Sequence, residues 1–317
     1  MAASTRFTEL TGCRVPVQQA PMGSVSTAAL AVAVAEAGGV GSITALGMTA
    51  AQVDTALAGM TAKTAGVLAA NFLTAGIDPE AVAAAAARVR IVDFFWADPD
   101  PRLIEIAHRG GALACWQVGS ADEARAAAEA GCDVVAVQGV EAGGHVRGES
   151  PLRPLLDSVL GRVEVPVLAA GGIGDARAFA AALAAGADGV RAGTRFVAAA
   201  ESGAHPEYKQ AVADAGAGST EITGAFSVCP LCASSPRARV LSACVGALRD
   251  LDGEVAGETT SGGQRITVPK GYGLPPGAAA TGHIGAMAMY AGESSAAITA
   301  VEPAAQIIET WAAAARR

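Results

Sequence analysis

The residue of this chain best suited to chemistry is His145, which follows Gly143 and Gly144 in a polar stretch that begins at Gln138. An imidazole in such a loop is not on an apolar helix face. With an ordinary pKa of about 6.5, it can take a proton near neutrality or hold an anion when charged. A second group is built from glycine: Gly171-Gly172-Ile173-Gly174 and Gly193-Thr194. Without a Cβ, the backbone lets its N–H groups approach an oxyanion, and a helix start beyond the turn favours negative charge, so the two turns together point to a phosphate grip. Gln19-Ala20-Pro21-Met22-Gly23 and Asn71 add polar and turn-forming residues to the same set. No Gly-x-Ser-x-Gly elbow is present, and covalent catalysis by serine is not indicated.

These residues must be positioned by a repeating framework. Short β-rich runs alternate with Ala-rich helical stretches, the pattern of βα units on a parallel sheet. Eight strands are predicted, at Val15–Met22, Gly39–Thr44, Gly66–Leu73, Ile91–Trp96, Leu113–Val118, Asp133–Gln138, Val165–Ala170 and Gly189–Phe196. Between them lie helices such as Thr27–Ala37, Ala50–Met60, Pro79–Arg88, Asp122–Ala130 and Asp175–Ala185, several opened by a capping Ser, Thr or Asp and closed by Gly. Eight such units favour a closed (β/α)8 barrel of the α/β class over an open sheet. In such a barrel function lies at the C-terminal ends of the strands, which is where the residues named above fall. The rhythm stops after Ala200. Residues 1–201 and 277–317 are expected to form the barrel, and 202–276 a small helical and loop insertion over its active end, with a helix at Ala238–Leu251 and two closing helices after His283.

Composition narrows the function classes. The 317 residues suit one barrel with an insertion, and a net charge of −8 without a basic cluster argues against a nucleic-acid partner. No apolar run reaches the roughly 18 residues of a membrane span, and the first residues lack the basic-then-apolar order of a secretory signal. A cytoplasmic enzyme with a small-molecule substrate is expected, and the sequence leaves open whether it forms a homo-oligomer. Cys13, Cys115, Cys132 and Cys244 read as reduced core thiols. Cys229-Pro230-Leu231-Cys232 lacks the second pair a four-ligand zinc site would want, so no metal is expected. His108, His205 and His283 read as solvated or capping groups.

The stretch Gly139-Val140-Glu141-Ala142-Gly143-Gly144-His145 resembles the Glu-Ala-Gly-Gly-His loop of the nitronate monooxygenase family, formerly the 2-nitropropane dioxygenases. Supporting segments are Gln19–Gly23, Pro166–Ile173, Gly193–Phe196 and Met289–Ser294. The resemblance implies an FMN-dependent barrel that oxidises an alkyl nitronate or nitroalkane with dioxygen to a carbonyl compound and nitrite. By the same resemblance Pro21, Met22 and Gly23 would pass along the flavin ring and Asn71 and Gln138 would hydrogen-bond it. Gly143 and Gly144 would leave room beside the ring and ribityl chain, Gly171, Gly172, Gly193 and Thr194 would hold the phosphate, and His145 would face the substrate.

The chain departs from that pattern in Gly224–Cys232, in the bulky Asp93-Phe94-Phe95-Trp96 strand end, and in Glu293, where many relatives carry Gln. Both bulky segments bear on which substrate enters, whereas Glu293 reads as a solvated charge at a helix start. Proteins with the same His loop also include FMN-dependent NAD(P)H-linked reductases acting on quinones or enoyl thioesters, and the loop does not separate the two activities. A barrel that binds a phosphate ligand only as a sensor or scaffold is the third reading, since fold does not fix function.

Overall fold

The computed structural model describes residues 4–73, 77–228, 236–261 and 264–315. Parallel strands β1 (Val17–Gln19), β2 (Val40–Thr44), β3 (Val67–Leu73), β4 (Ile91–Phe95), β5 (Leu113–Val118) and β6 (Val134–Gln138) come first. After a two-residue strand, β7 (Gly144–His145), follow β8 (Val167–Ala170) and β9 (Gly189–Ala192). β1 to β6, β8 and β9 close into one barrel, sealed where Gln18 of β1 stands in register with Arg191 of β9. Alternation with capped helices produces this arrangement. Thr27, Thr49, Asp78, Ser120 and Asp175 each accept a backbone N–H at the start of the helix that returns the chain to the next strand.

Outward strand residues such as Val92, Phe94, Trp116, Val135 and Val137 pack with helix residues Leu30, Val34, Leu57, Ile104 and Leu156 in the main core. Inside the barrel the lower layer is apolar, formed by Val40, Ala69, Ile91, Leu113, Val134, Ala136 and Leu168. Phe7, wholly buried, belongs to that same cluster and sits on the short helix Arg6–Thr11, which stops up the N-terminal end. Arg6 fastens this helix by donating to both carboxylate oxygens of Asp188, at 2.8 and 2.6 Å.

Several elements differ from the sequence expectation. The first strand stops at Gln19, because Pro21 has no N–H to extend the ladder. The eighth predicted strand ends at Ala192. Beyond Gly193, residues Thr194–Val197 form a helical turn closed by Phe196 and Val197 N–H on the Gly193 carbonyl, at 2.7 and 3.0 Å. The segment 202–276, expected to be helices and loops, also carries strands: β10 (Thr220–Thr223), β11 (Ala238–Leu241), β12 (Val255–Ser261) and β13 (Gln264–Pro269). β12 lies between β13 and β14 (Thr281–Gly282), while β11 lies between β10 and β7. The helix predicted at Ala238–Leu251 is therefore a strand followed by a helix, Ser242–Asp250. Of the two closing helices one is present, Ala304–Ala314. The stretch before it contains the 3-10 turns Ile284–Ala286 and Glu293–Ala297.

Candidate active site

At the C-terminal end of the barrel, β8 and β9 stand side by side with Ala170 opposite Arg191, so the two glycine turns that follow them are neighbours. Gly171 and Gly172 both take left-handed φ, +108° and +72°, a pair of conformations that side chains disfavour. Beyond the paired Ala170 and Arg191, no acceptor among the described residues takes the backbone N–H of Gly172, Gly193 or Thr194. Three unspent donors in two adjacent turns suit a phosphate. The Thr194 hydroxyl is turned elsewhere, accepting the Gly292 N–H at 3.0 Å.

The His145 loop rises from β6 and is fixed from three directions. Gln138, at the end of β6, donates through Nε2 to the His145 carbonyl at 3.0 Å and accepts the Arg147 N–H on Oε1 at 3.1 Å. β7 pairs antiparallel with β11, His145 opposite Ala238 and Gly144 opposite Arg239. A third hold comes from the chain end: Gly143 and Gly292 touch backbone to backbone, so that a Cβ on Gly143 would lie 2.5 Å from the Gly292 nitrogen. Glu293 N–H also donates to the Glu141 carbonyl at 3.0 Å. His145 is thus presented by a short strand in a three-stranded sheet. Its ring lies 5.2 Å from that of Trp96 and 5.8 Å from that of Tyr290.

The remaining expected residues lie around this centre. Met22 N–H donates to Ser26 Oγ at 2.8 Å and Gly23 N–H to Thr44 Oγ1 at 3.1 Å, which hold the Pro21–Gly23 turn after β1 against the end of β2. Asn71 is buried on β3, one amide N–H given to the Asp93 carbonyl at 3.3 Å. Each of Asn71 and Gln138 retains an amide N–H for a ligand. Gly144 has φ +80° and open space where a Cβ would be. Beneath them the barrel holds a polar layer in which Arg191 donates to Asp93 Oδ2 at 2.6 Å and to Gln117 Oε1 at 2.8 Å. Burial pushes the Asp93 carboxyl up from its ordinary value, against the opposing pull of Arg191.

The other histidines stand apart: His108 pairs with Asp133 at 2.7 Å, His205 caps a helix by accepting the Glu207 N–H, and His283 precedes a 3-10 turn. Among the described residues no three His, Cys, Asp or Glu side chains gather to hold a metal, and no helix is long and apolar enough to cross a membrane. Cys229 and Cys232 lie outside the described residues.

Sequence reading missed Arg239. Its guanidinium, nearly buried, donates to the Val140 carbonyl from Nε at 3.1 Å and Nη2 at 2.9 Å, and pairs with half-exposed Glu293 at 3.2 Å. It also missed Arg147, which joins the loop to Asp98 and Glu123 at 3.1 and 2.8 Å. A signal existed for Arg147, which lies two residues beyond His145, whereas Arg239 reaches the loop only through the pairing of its strand with Gly144–His145.

Comparison with known proteins agrees with this geometry. The Rhodococcus jostii (3aS,4S,5R,7aS)-5-hydroxy-7a-methyl-1-oxo-octahydro-1H-indene-4-carboxyl-CoA dehydrogenase is 38% identical over 200 residues, covering 62% of this chain but 56% of the relative. The chain therefore matches little more than half the length of that protein. A nitronate monooxygenase of Pseudomonas aeruginosa is 35% identical over 271 residues, covering 70% of this chain and 77% of the relative. Among solved structures, FabK from Thermotoga maritima superposes with a TM-score of 0.79 at 29% identity, covering 99% of this chain and 96% of that one. The nitronate monooxygenase family matches residues 4–86 and 80–313, nearly the whole chain. With its closed barrel and its held Gly-Gly-His loop, the chain belongs to the nitronate monooxygenase family.

Proposed function

We propose that this protein binds FMN and oxidises an alkyl nitronate, or the nitroalkane it derives from, with dioxygen to a carbonyl compound and nitrite. The observation that carries the reading is the convergence, at one barrel end, of three unspent N–H donors at Gly172, Gly193 and Thr194, in the turns that Gly171 and Gly193 open, with a histidine held on β7. The donors fit the phosphate of FMN. Pro21, Met22, Gly23, Asn71 and Gln138 are the residues that would line its ring, with Gly143 and Gly144 beside them. FMN, when bound, supplies the electron acceptor, which no side chain of the protein can provide.

The protein's own part is binding, orientation and proton handling. His145 either takes the carbon-bound proton of a neutral nitroalkane on a ring nitrogen or, protonated, holds the nitronate anion. The rings of Trp96 and Tyr290 flank the imidazole and lower the polarity around it, which strengthens whichever interaction it makes. A second reading draws on the dehydrogenase relative, whose name specifies a carboxyl-CoA substrate. In that reading the same His145 would serve a thioester, with a nicotinamide exchanging hydride with the flavin. Anaerobic stopped-flow titration of the purified holoenzyme decides between them. Bleaching by propionate-3-nitronate and indifference to NADPH is the expected result; bleaching by NADPH alone would replace the first reading with the second, and no bleaching by either would leave a scaffold.

A further inference from the structure

Trp96 closes the end of β4 with φ +91°, the one non-glycine residue among those described that adopts a left-handed backbone. A bulky residue meets steric resistance there, and such conformations persist where the surroundings over-determine them. Three ties do so here. The Phe95 ring meets the indole edge-on at 4.9 Å, Trp116 Nε1 donates to the Ala97 carbonyl at 3.0 Å, and Arg147 pairs with Asp98 at 3.1 Å. The same Arg147 is bonded through its N–H to Gln138, whose other end holds the His145 carbonyl. The turn that carries Trp96 and the strand that carries His145 are therefore fixed to each other by backbone and side chain. The product of this arrangement is an indole in edge contact with the imidazole, 62° between planes, still partly open to solvent at the barrel mouth.

We infer that Trp96 is the specificity wall of the site: its indole limits the bulk of the substrate carbon skeleton admitted beside His145. The inference rests on the nitronate reading given above. A substrate whose reacting carbon approaches the imidazole must bring its substituents past the ring that already touches that imidazole. Small, unbranched nitronates pass, and cyclic ones collide with the indole. The strained φ makes the proposal unusually easy to test, because glycine adopts +91° without resistance. Replacing Trp96 by Gly removes the wall and the backbone conflict together, whereas most deletions of a large aromatic residue risk the fold.

The experiment compares the wild-type, Trp96→Gly and Trp96→Phe holoenzymes in two ways. The first readout is the ratio of kcat/KM for the nitronate of nitrocyclohexane to that of nitroethane. The second is the ratio of dissociation constants for cyclohexanecarboxylate and propanoate, carboxylates of the same carbon skeletons that are not turned over, read from the change they cause in the flavin absorption band. Trp96→Gly is expected to shift both ratios toward the bulky ligand by about tenfold or more, and Trp96→Phe by less. Unmoved ratios would overturn the wall, as would an equal fall in kcat for both nitronates, which would make Trp96 a positioning residue for His145. If no form oxidises a nitronate, the proposed activity falls and the carboxylate ratio alone decides the wall; if wild type also binds neither carboxylate, the wall falls too. Should Trp96→Gly lose its flavin, Trp96→Phe carries the same comparison.

Discussion

Arg239 takes the carbonyl of Val140 with two nitrogens at once, Nε at 3.1 Å and Nη2 at 2.9 Å, although 99 residues separate the two. Val140 begins the loop that ends in His145, and Arg239 stands opposite Gly144 on the facing strand, so one side chain spans the loop from its start to its tip. Glu293 closes on the same guanidinium from the chain end.

Removing that clasp should loosen the loop without dissolving the barrel. Arg239→Ala is expected to lose about 1.5–3 kcal/mol of stability, the usual worth of hydrogen bonds from a charged donor, and to lower kcat more than it weakens FMN. Arg239→Lys, which keeps the charge but not the forked geometry, should recover only part of either. Urea denaturation and steady-state kinetics on both variants check this; wild-type kcat in Arg239→Ala would show that the loop is held without it.

His145→Ala is expected to keep FMN bound, because the N–H groups proposed to hold its phosphate lie on other turns. Turnover should fall by about 10²–10⁴, the range typical of a lost acid–base group. Flavin content by absorbance together with nitrite release measures both halves of the expectation. Full activity in this variant would remove His145 from the mechanism.

Two neighbouring glycines should behave unlike one another. In Gly143→Ala the new methyl would meet the Gly292 nitrogen at 2.5 Å and the Ala291 carbonyl carbon at 2.7 Å, so backbone must part from backbone. A cost of about 1–3 kcal/mol follows from overpacking, with loss of the Gly292-to-Thr194 bond beside the glycine turns and, if these hold the flavin phosphate as proposed, weaker FMN binding. Gly144→Ala meets nothing, and its φ of +80° carries only the roughly 1–2 kcal/mol of a left-handed alanine. Thermal melting and FMN titration of the two variants should rank them in that order.

Alkaline pH should destabilise the fold through its buried thiols. Burial raises Cys13 from its ordinary 9.0 to about 11, and the Thr11 hydroxyl beside it only partly offsets this. Above pH 9 the unfolded chain therefore gives up the Cys13 proton while the folded chain keeps it, and stability falls between pH 9 and about 11. A shift of this size corresponds to about 2–3 kcal/mol. Cys244, pushed up to about 12, acts in the same direction. Denaturation midpoints from pH 8 to 11 for wild type and Cys13→Ala check it: the variant should show a shallower decline.

The barrel was legible because its signals are local. A capping Thr, Ser or Asp, a short β-rich run and a closing Gly recur along the chain, and each is satisfied within a few residues of itself. Gly171 and Gly172 could be read for the same reason, since paired glycines after a strand announce a turn. What sequence could not show is pairing at a distance. Ala238–Leu241 looked helical because it leads directly into the helix Ser242–Asp250, and its partners are Thr220–Thr223 on one side and Gly144–His145 on the other. Arg239 is hidden for the same cause: its meaning lies in Val140 and Glu293, neither of them near in sequence. The stretch from His283 to Ala300 carried a helical composition, but Gly285 and Gly292 and contacts to Glu141 and Gly143 turn it into short 3-10 segments.

The pairing of β7 with β11 also sets an order of assembly. The last barrel strand ends at Ala192, and β11 begins at Ala238, so a growing chain has emerged with all eight barrel strands before the partner of His145 exists. Closing that long separation is entropically slower than forming the neighbouring βα units. A nascent chain can thus own all eight barrel strands and still lack a working centre, and the final third of the protein brings both the partner of His145 and the helix Ala304–Ala314 that completes the barrel wall.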